Sequence, residues 1–310
     1  MKVLSLFDGI SSGMLALKRA GIPVEEYHAF EIDKYAMEVS KRNFPEIVQH
    51  GNVFNGDFKQ FQRYDLLIGG SPCTYWSISK KNRETTSDGE GFRLFMEYVR
   101  ALKESECRYF LYENNDSIHR NIKNEISEKL GVQPIMINSA LVSAQQRKRC
   151  YWTNLPDITQ PEDKGILLND ILDNAVGWHD KSYCMTASYS KAVLHNSLKR
   201  NQRTMVAVPV RIGEYGKGGQ GQRIYSVYGK SVTLSANGGG QGAKTGLYKI
   251  DLPDGDYIIR KLTPVEAERL QTLPDNYTAG ISDTQRYKCI GNAWTIDIIA
   301  HILKKLEEFS

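Results

Sequence analysis

The sequence predicts an α/β fold: a doubly wound, mainly parallel sheet joined to a smaller, loop-rich β domain. Three observations predict it. Short apolar runs alternate with amphipathic stretches over the first half of the chain, the rhythm of βαβ units. Several runs end in glycines or acids, residue types suited to the loops where an open sheet binds ligands. The rhythm then stops near Pro156, and 11 glycines crowd between Gly213 and Gly246.

The elements follow in order. Residues 3–7 read as a strand, and 12–20 as a short helix closed by Gly21, with Ser11 or Ser12 as N-cap. Residues 27–32 are a second strand, and Asp33 caps a helix reaching Asn43. Another strand spans 65–69. An apolar face of Phe92, Phe95, Met96, Val99 and Leu102 marks a helix over 92–103. A strand at 108–112 ends at Glu113-Asn114-Asn115, a helix covers 118–130, and 134–137 and 150–152 are later strands. Helices should cover both faces of such a sheet. From about 160 to 257 helical periodicity is lacking, with short β segments at 223–227 and 232–234. Residues 181–187 are weakly echoed at 230–236, as related hairpins or by chance. Helical pattern returns at 263–270, capped by Thr263 with Pro264 at the first helical position. A final amphipathic helix covers about 295–306. The expected division is 1–157 with 258–310 as one domain and 158–257 as the other.

Composition narrows the function. A chain of 310 residues, 41% hydrophobic, can build one large domain with a small one. No apolar run is long enough to span a membrane, and the N-terminus lacks the pattern of a signal peptide. Five scattered cysteines without a CxxC pair, and no His/Cys cluster at zinc spacing, argue for a reducing compartment and no structural metal. The formal charge of +4 is unevenly placed. Residues 178–250 hold 11 cations against Asp180 and Glu214, a net +9 that leaves −5 for the rest. Such a surplus suits a polyanionic partner, or is a solvated basic surface.

Two constellations carry chemistry. The turn Phe7-Asp8-Gly9-Ile10-Ser11-Ser12-Gly13 follows the first strand, and its glycines permit close approach of a ligand at a helix start. It is not G-x-G-x-x-G, and Asp8 would repel a pyrophosphate, so a dinucleotide fits poorly and a cationic or zwitterionic ligand better. Glu31, at the end of the second strand, suits two ribose hydroxyls. An ordinary turn and a surface glutamate remain open here. The second constellation is Cys73 with Glu113, Asn114 and Arg149. Cys73 follows Gly69-Gly70-Ser71-Pro72, and Pro72 stiffens the loop that aims the thiol. Thiolate, carboxyl and arginine together could hold a planar heterocycle. Equally, the cysteine is a small hydrophobe, Glu113 caps the next helix, and Arg147, Lys148 and Arg149 form a solvated charge run.

These residues resemble the DNA (cytosine-5)-methyltransferases over nearly the whole chain, in the family's motif order. Phe-Asp-Gly-x-x-x-Gly at 7–13 looks like the cofactor loop, and Glu31 matches the ribose-binding acid. Gly69–Cys73 looks like the nucleophile loop, and Gly91-Phe92-Arg93-Leu94-Phe95 the segment after it. Glu113-Asn114 matches the catalytic glutamate motif, and Gln145-Gln146-Arg147-Lys148-Arg149 fits Q-x-R-x-R. Residues 260–271 fit the next motif, and Gly291-Asn292-Ala293-Trp294 the last. The G-G-S-P-C form and Trp294 lean toward the animal de novo branch and its bacterial and phage relatives.

The resemblance implies an S-adenosylmethionine-dependent methyltransferase fold whose 158–257 segment is the target-recognition domain. It implies that a cytosine is flipped from duplex DNA. Cys73 adds to carbon 6, Glu113 holds N3 and the amine, Arg149 holds the O2 side, and Arg147, Asn114 and Pro72 complete the catalytic set. Carbon 5 takes the methyl group of S-adenosyl-L-methionine, leaving S-adenosyl-L-homocysteine. The implied cofactor residues are Phe7, Asp8 (near the cationic amino-acid end), Gly9, Ile10, Gly13, Glu31, Ile32, Asn52, Val53, Gly70, Leu94, Asn292, Ala293 and Trp294. The implied DNA residues are Ser77, Arg223, Lys230, Thr233 and Lys244. The chain departs from the family at Asn115, usually valine, at Asn52, usually an acid, and at Thr74, usually glutamine. Double-stranded DNA is the expected partner, with a cognate restriction endonuclease possible, for a monomer in the cytoplasm near the nucleoid. Alternatives are the same chemistry on transfer RNA, an inactive DNA-binding relative, and a more distant NAD-dependent oxidoreductase.

Overall fold

The computed structural model describes residues 1–77, 82–214, 223–225 and 256–309. A seven-stranded sheet organises it, in the order β3-β2-β1-β4-β5-β7-β6. Its strands are β1 (Lys2–Leu6), β2 (Glu26–Phe30), β3 (Val48–Gln49), β4 (Leu66–Gly69), β5 (Tyr109–Asn115), β6 (Ile135–Asn138) and β7 (Lys148–Thr153). The first five run parallel, and β7 is antiparallel to both β5 and β6. From β1 the chain builds outward through β2 and β3, then returns to place β4 on the other side of β1. That reversal opens a crevice beyond the carboxyl ends of β1 and β4, where open α/β sheets bind ligands.

Period-two alternation divides the core into two faces. Val3, Leu66, Ile68, Leu111 and Tyr151 point to one face, against α1 (Ser12–Arg19), α2 (Lys34–Asn43) and the helices near the chain's end. Leu4, Leu6, Leu67, Tyr112 and Trp152 point to the other, against α3 (Glu90–Ser105) and α4 (Arg120–Leu130). The sequence-predicted apolar face of α3 is found there: Phe92, Phe95 and Val99 are buried. The closing helix α8 (Ile296–Leu303) buries Ile298, Ile299, Ile302 and Leu303 on the first face. Each such side chain is worth about 1.5–3 kcal/mol of burial, so the chain's end completes the core.

Several elements differ from expectation. The helix α7 (Asp283–Asn292) was not predicted, because polar residues interrupt its apolar face and Ser282 gives no side-chain cap. The last helix stops at Leu303 and continues as a 3-10 turn to Phe309. A short helix, α5 (Leu194–Lys199), interrupts the segment expected to lack helices. Ser11 holds the N-cap position of α1 in left-handed conformation, but its hydroxyl does not cap. Thr263 does cap α6 (Pro264–Leu270), in a reciprocal capping box with Glu266. A second sheet has the order β10-β8-β9, from β8 (Met205–Glu214), β9 (Arg223–Tyr225) and β10 (Asp256–Lys261). Met185, Tyr189 and Val206, inside the expected second domain, join the same core cluster as α8.

Candidate active site

A cavity of about 170 Å³ opens at the crevice, lined from four directions. The loop after β1 supplies Phe7, Asp8, Gly9, Ile10 and Ser12; Glu31 follows β2; the loop after β4 supplies Gly70 to Thr74; and β5, the start of β7 with the residue before it, and the end of α7 with the α7–α8 connection bring Glu113, Arg147, Arg149, Asn292, Ala293 and Trp294.

On the β1–β2 side the loop curls tightly. Phe7, Gly9 and Ser11 have φ of 57°, 60° and 60°, and the residues between them do not share that sign. Alternating handedness of this kind turns backbone N–H groups toward one concavity, a nest for anions. The Tyr277 hydroxyl donates to the Ile10 carbonyl at 2.8 Å and pins the curl. Glu31 accepts from the N–H groups of Gly9 at 2.8 Å and of Ile32 and Asp33, each at 2.7 Å. Three donors leave about one of a carboxylate's four lone-pair sites. Burial raises the Glu31 pKa, and these backbone donors only partly offset it.

Asp8 is corrected. Its Oδ1 accepts from the hydroxyls of Ser5 at 2.6 Å and Tyr27 at 2.7 Å, and its Oδ2 from Ser11 at 2.6 Å. The carboxyl therefore faces inward and braces the loop, and only 7% of Asp8 is exposed. Burial also raises its pKa, despite the three hydroxyl donors. Ser12, which sequence reasoning missed, lines the cavity with a buried hydroxyl that has no partner. Its place at the first turn of α1 was the available signal.

On the β4–β5 side, pairing geometry assembles the group. Cys73 begins a single 3-10 turn with Pro72 as its N-cap, and its carbonyl accepts from the N–H groups of Trp76 at 3.1 Å and Ser77 at 3.0 Å. Glu113 lies inside β5, not after it, opposite Tyr151. Arg149 is two residues from Tyr151 on the same face, a diagonal neighbour within reach of a long side chain. Its Nε lies 2.9 Å from Glu113 Oε1, with the two side chains 13% and 11% exposed. Removing either partner would strand a buried charge, at a cost on the order of 3 kcal/mol. Arg149 sits at the start of its strand, yet meets the end of β5 because β7 runs antiparallel.

Even-numbered residues of β5 point the other way. Asn114 Nδ2 donates to the Ser71 carbonyl at 3.0 Å, and the Tyr112 hydroxyl meets Ser71 Oγ at 2.6 Å. Asn114 thus supports the thiol-bearing loop from beneath and does not line the cavity. Asn115, expected beyond the strand, is part of it, paired with Arg149 and bonded to the Ser117 hydroxyl at 3.0 Å. Arg147 is a clasp: it donates to the carbonyls of Met185 and Ala293, each at 2.9 Å, and of Gly291 at 3.3 Å. A Cβ on Gly291 would come within 2.2 Å of the backbone at 186–187, so that packing requires glycine.

The thiols differ. Burial pushes Cys107 and Cys150 up to about 11 and Cys289 to about 12. Burial also opposes ionisation of Cys184, but the charges of Arg147 and Arg149 outweigh it and its pKa falls below the ordinary value. Cys184 was not singled out from sequence; only the fold places it against both arginines.

Other expected residues lie outside the cavity wall. Gly13 packs α1 on the sheet, where a Cβ would lie 2.2 Å from Ile68. Asn52 is exposed and uses its Oδ1 to cap the next turn, at 3.1 Å from the Phe54 N–H, while Val53 is buried and Leu94 packs on the second core cluster. Ile32 stands 74% exposed beside Glu31. Ser77 is half-buried. Arg223 lies in β9; Lys230, Thr233 and Lys244, with the second copy of the 181–187 echo, lie outside the described residues. Lys181 is not part of an open basic surface, since its ammonium binds the carbonyls of Ala140, Ser143 and Ile166. Lys191, Lys199 and Arg200 are exposed. Among the described residues no group of three or more His, Cys, Asp or Glu is placed to hold a metal, and no helix is long and apolar enough to cross a membrane.

Fold and cavity define an open α/β chain that gathers a thiol, an acid and an arginine at its switch point. The model of the C-5 cytosine-specific DNA methylases matches residues 1–308, and the chain belongs to that family. It is 32% identical to the type II methyltransferase M.HhaI of Haemophilus parahaemolyticus, over 97% of this chain and 93% of that one. It is 28% identical to the type II methyltransferase M1.ScrFI of Lactococcus lactis subsp. cremoris, over 99% of this chain and 78% of that one. The fold is similar to that of the Entamoeba histolytica methyltransferase EhMeth, with a TM-score of 0.70, 18% identity and coverage of 100% and 99%.

Proposed function

We propose that the chain is a site-specific methyltransferase acting on cytosine carbon 5 in double-stranded DNA, with Cys73 as nucleophile. The observation that carries this reading is the placement of Cys73, Glu113 and Arg149 in one cavity with the curled loop and Glu31. A flipped cytosine is the planar heterocycle such a group fits.

The residues present fit S-adenosylmethionine. The buried, unpartnered Ser12 hydroxyl and the curl at 7–11 suit its carboxylate, Glu31 has room for a ribose hydroxyl, and exposed Ile32 offers an apolar surface for a purine. When bound, that group supplies the methyl. The chain's own residues do the rest. The Cys73 thiolate forms a bond to carbon 6, which makes carbon 5 nucleophilic. Glu113 holds the N3 and amine edge and offsets charge as the adduct forms, while Arg149 keeps Glu113 in place and serves the O2 side. After transfer, loss of the carbon 5 proton restores the ring and the sulfur–carbon bond breaks.

Residues 158–257 are read as the recognition domain, with its exposed cations on the DNA. The enzyme is read as a cytoplasmic monomer, and relatives named type II suggest a partner endonuclease. The test is a duplex carrying 5-fluorocytosine at the target, incubated with S-adenosylmethionine. A covalent adduct that survives denaturation is expected. Active enzyme that forms no adduct overturns the reading.

A further inference from the structure

Lining a methyl-donor cavity does not account for Trp294. Its ring is half-buried on the cavity wall, but the indole N–H donates to Oε2 of Glu113 at 3.0 Å. An indole N–H can only donate, so this bond commits it to an acceptor. Arg149 holds the opposite oxygen of the same carboxyl at 2.9 Å. Two donors, from elements on opposite sides, fix the plane of Glu113.

The surroundings are shaped for this contact. A Cβ at Gly70 would lie 2.8 Å from the Glu113 carbonyl, 3.1 Å from its Oε2 and 3.5 Å from the indole nitrogen. Only a bare backbone lets the tryptophan and the acid meet there. The backbone leading into Trp294 is itself held, because the Ala293 carbonyl accepts from Arg147 at 2.9 Å and from Gln271 at 3.2 Å. The next residue, Thr295, is fixed by Gln271 at 2.8 Å and meets the Ser139 hydroxyl at 2.8 Å. The ring is thus presented from a rigid mount.

We propose that Trp294 is a positioning residue for the acid that recognises the base. It holds Glu113 aligned before a cytosine enters, and links the methyl-donor wall to the base-binding wall through one ring. The inference rests on reading Glu113 as that acid. The other ionisable groups around Glu113 are Arg149 and Tyr151 on β7 and Tyr112 on its own strand, with Cys73 and Cys184 acting on Arg149. None of these is altered by changing the indole.

The test uses Trp294→Phe, which keeps a ring and drops the donor, in the wild-type and Glu113→Gln backgrounds. Kd for S-adenosylhomocysteine by calorimetry, the thermal midpoint, and kcat and KM for duplex DNA across pH are measured. Trp294→Phe is expected to bind the cofactor product within about threefold of wild type and to lose roughly tenfold in kcat/KM. The loss should fall on kcat, with KM for duplex DNA within about threefold of wild type. In the Glu113→Gln background the same change should cost less than about twofold. An unchanged kcat, or the full loss repeated in the Gln background, overturns the proposal. So does a large drop in cofactor affinity with kcat intact, which makes the ring a cofactor wall only. If Trp294→Phe does not fold, Trp294→His, which can restore a ring N–H, must recover the wild-type kcat, and failure overturns the proposal. Full activity of Glu113→Gln alone is a separate result that overturns the reading of Glu113.

Discussion

The two halves of the cavity solve the same problem differently. Each holds carboxylates away from bulk water, where an unpaired charge is costly. On the β1–β2 side, Asp8 and Glu31 are satisfied from the first two strands and the loops after them: hydroxyls at 5, 11 and 27, and amides at 9, 32 and 33. On the β4–β5 side, Glu113 is satisfied by Arg149 on another strand and by Trp294, 181 residues away. The first half closes when β1 and β2 pair, with Tyr277 pinning its loop. The second exists only once β7 and the α7–α8 connection have docked, so its geometry is hostage to the whole core.

Variants should separate the halves. The largest expected effect is in the second: Cys73→Ser should lower the rate of methyl transfer by at least about 10³-fold, as loss of a nucleophile does elsewhere. Binding of S-adenosylhomocysteine should stay near wild type in calorimetry. A Cys73→Ser enzyme that turns over normally would remove the nucleophile from the proposed mechanism. Next is Gly70→Ala, whose Cβ must displace Glu113 or the strand beneath it. It should slow transfer by about tenfold, on the scale of 1.4 kcal/mol per decade, with cofactor affinity little changed. If affinity falls and the rate does not, the halves are less separate than drawn here.

The first half gives the smaller effects. Ser12→Ala removes a buried hydroxyl with no protein partner, so it should spare the thermal midpoint. Loss of one hydrogen bond to a charged ligand group should weaken cofactor binding by roughly tenfold. A change in midpoint with unchanged affinity would make Ser12 structural. Asp8→Asn tests the brace through pH. Burial raises the folded pKa of Asp8 above its ordinary 3.8, so its contribution to stability is fully present below 3.8 and is lost as pH rises through the folded value. Wild type should therefore gain on Asp8→Asn, in urea unfolding, as pH falls from 7 toward 4. A constant difference across that range would mean that Asp8 titrates normally.

Legibility from sequence followed the same division. Strand-end positions of Glu31 and Gly70, the stiff Pro72-Cys73 loop and the Thr263 cap were readable because short-range patterning fixes them. The inward turn of Asp8 was not, since its hydroxyl partners at 5, 11 and 27 converge only when β1 and β2 pair. Asn114 carried the expected motif, yet strand alternation turns it beneath the cysteine loop. The α7 helix escaped notice because tertiary packing, not its own periodicity, sustains it. Cys184 gave no sequence signal at all.

By itself the sequence determined the fold class, the family and the residues available for chemistry, because apolar rhythm and motif order are properties of the chain read in one dimension. The tertiary structure decided which groups meet. Antiparallel β7 delivers Arg149 to Glu113, a bare Gly70 admits Trp294 to the same carboxyl, and three hydroxyls turn the Asp8 carboxyl inward. Each of these depends on strand direction, pleat or close approach between segments distant in sequence, and short-range pattern encodes none of them.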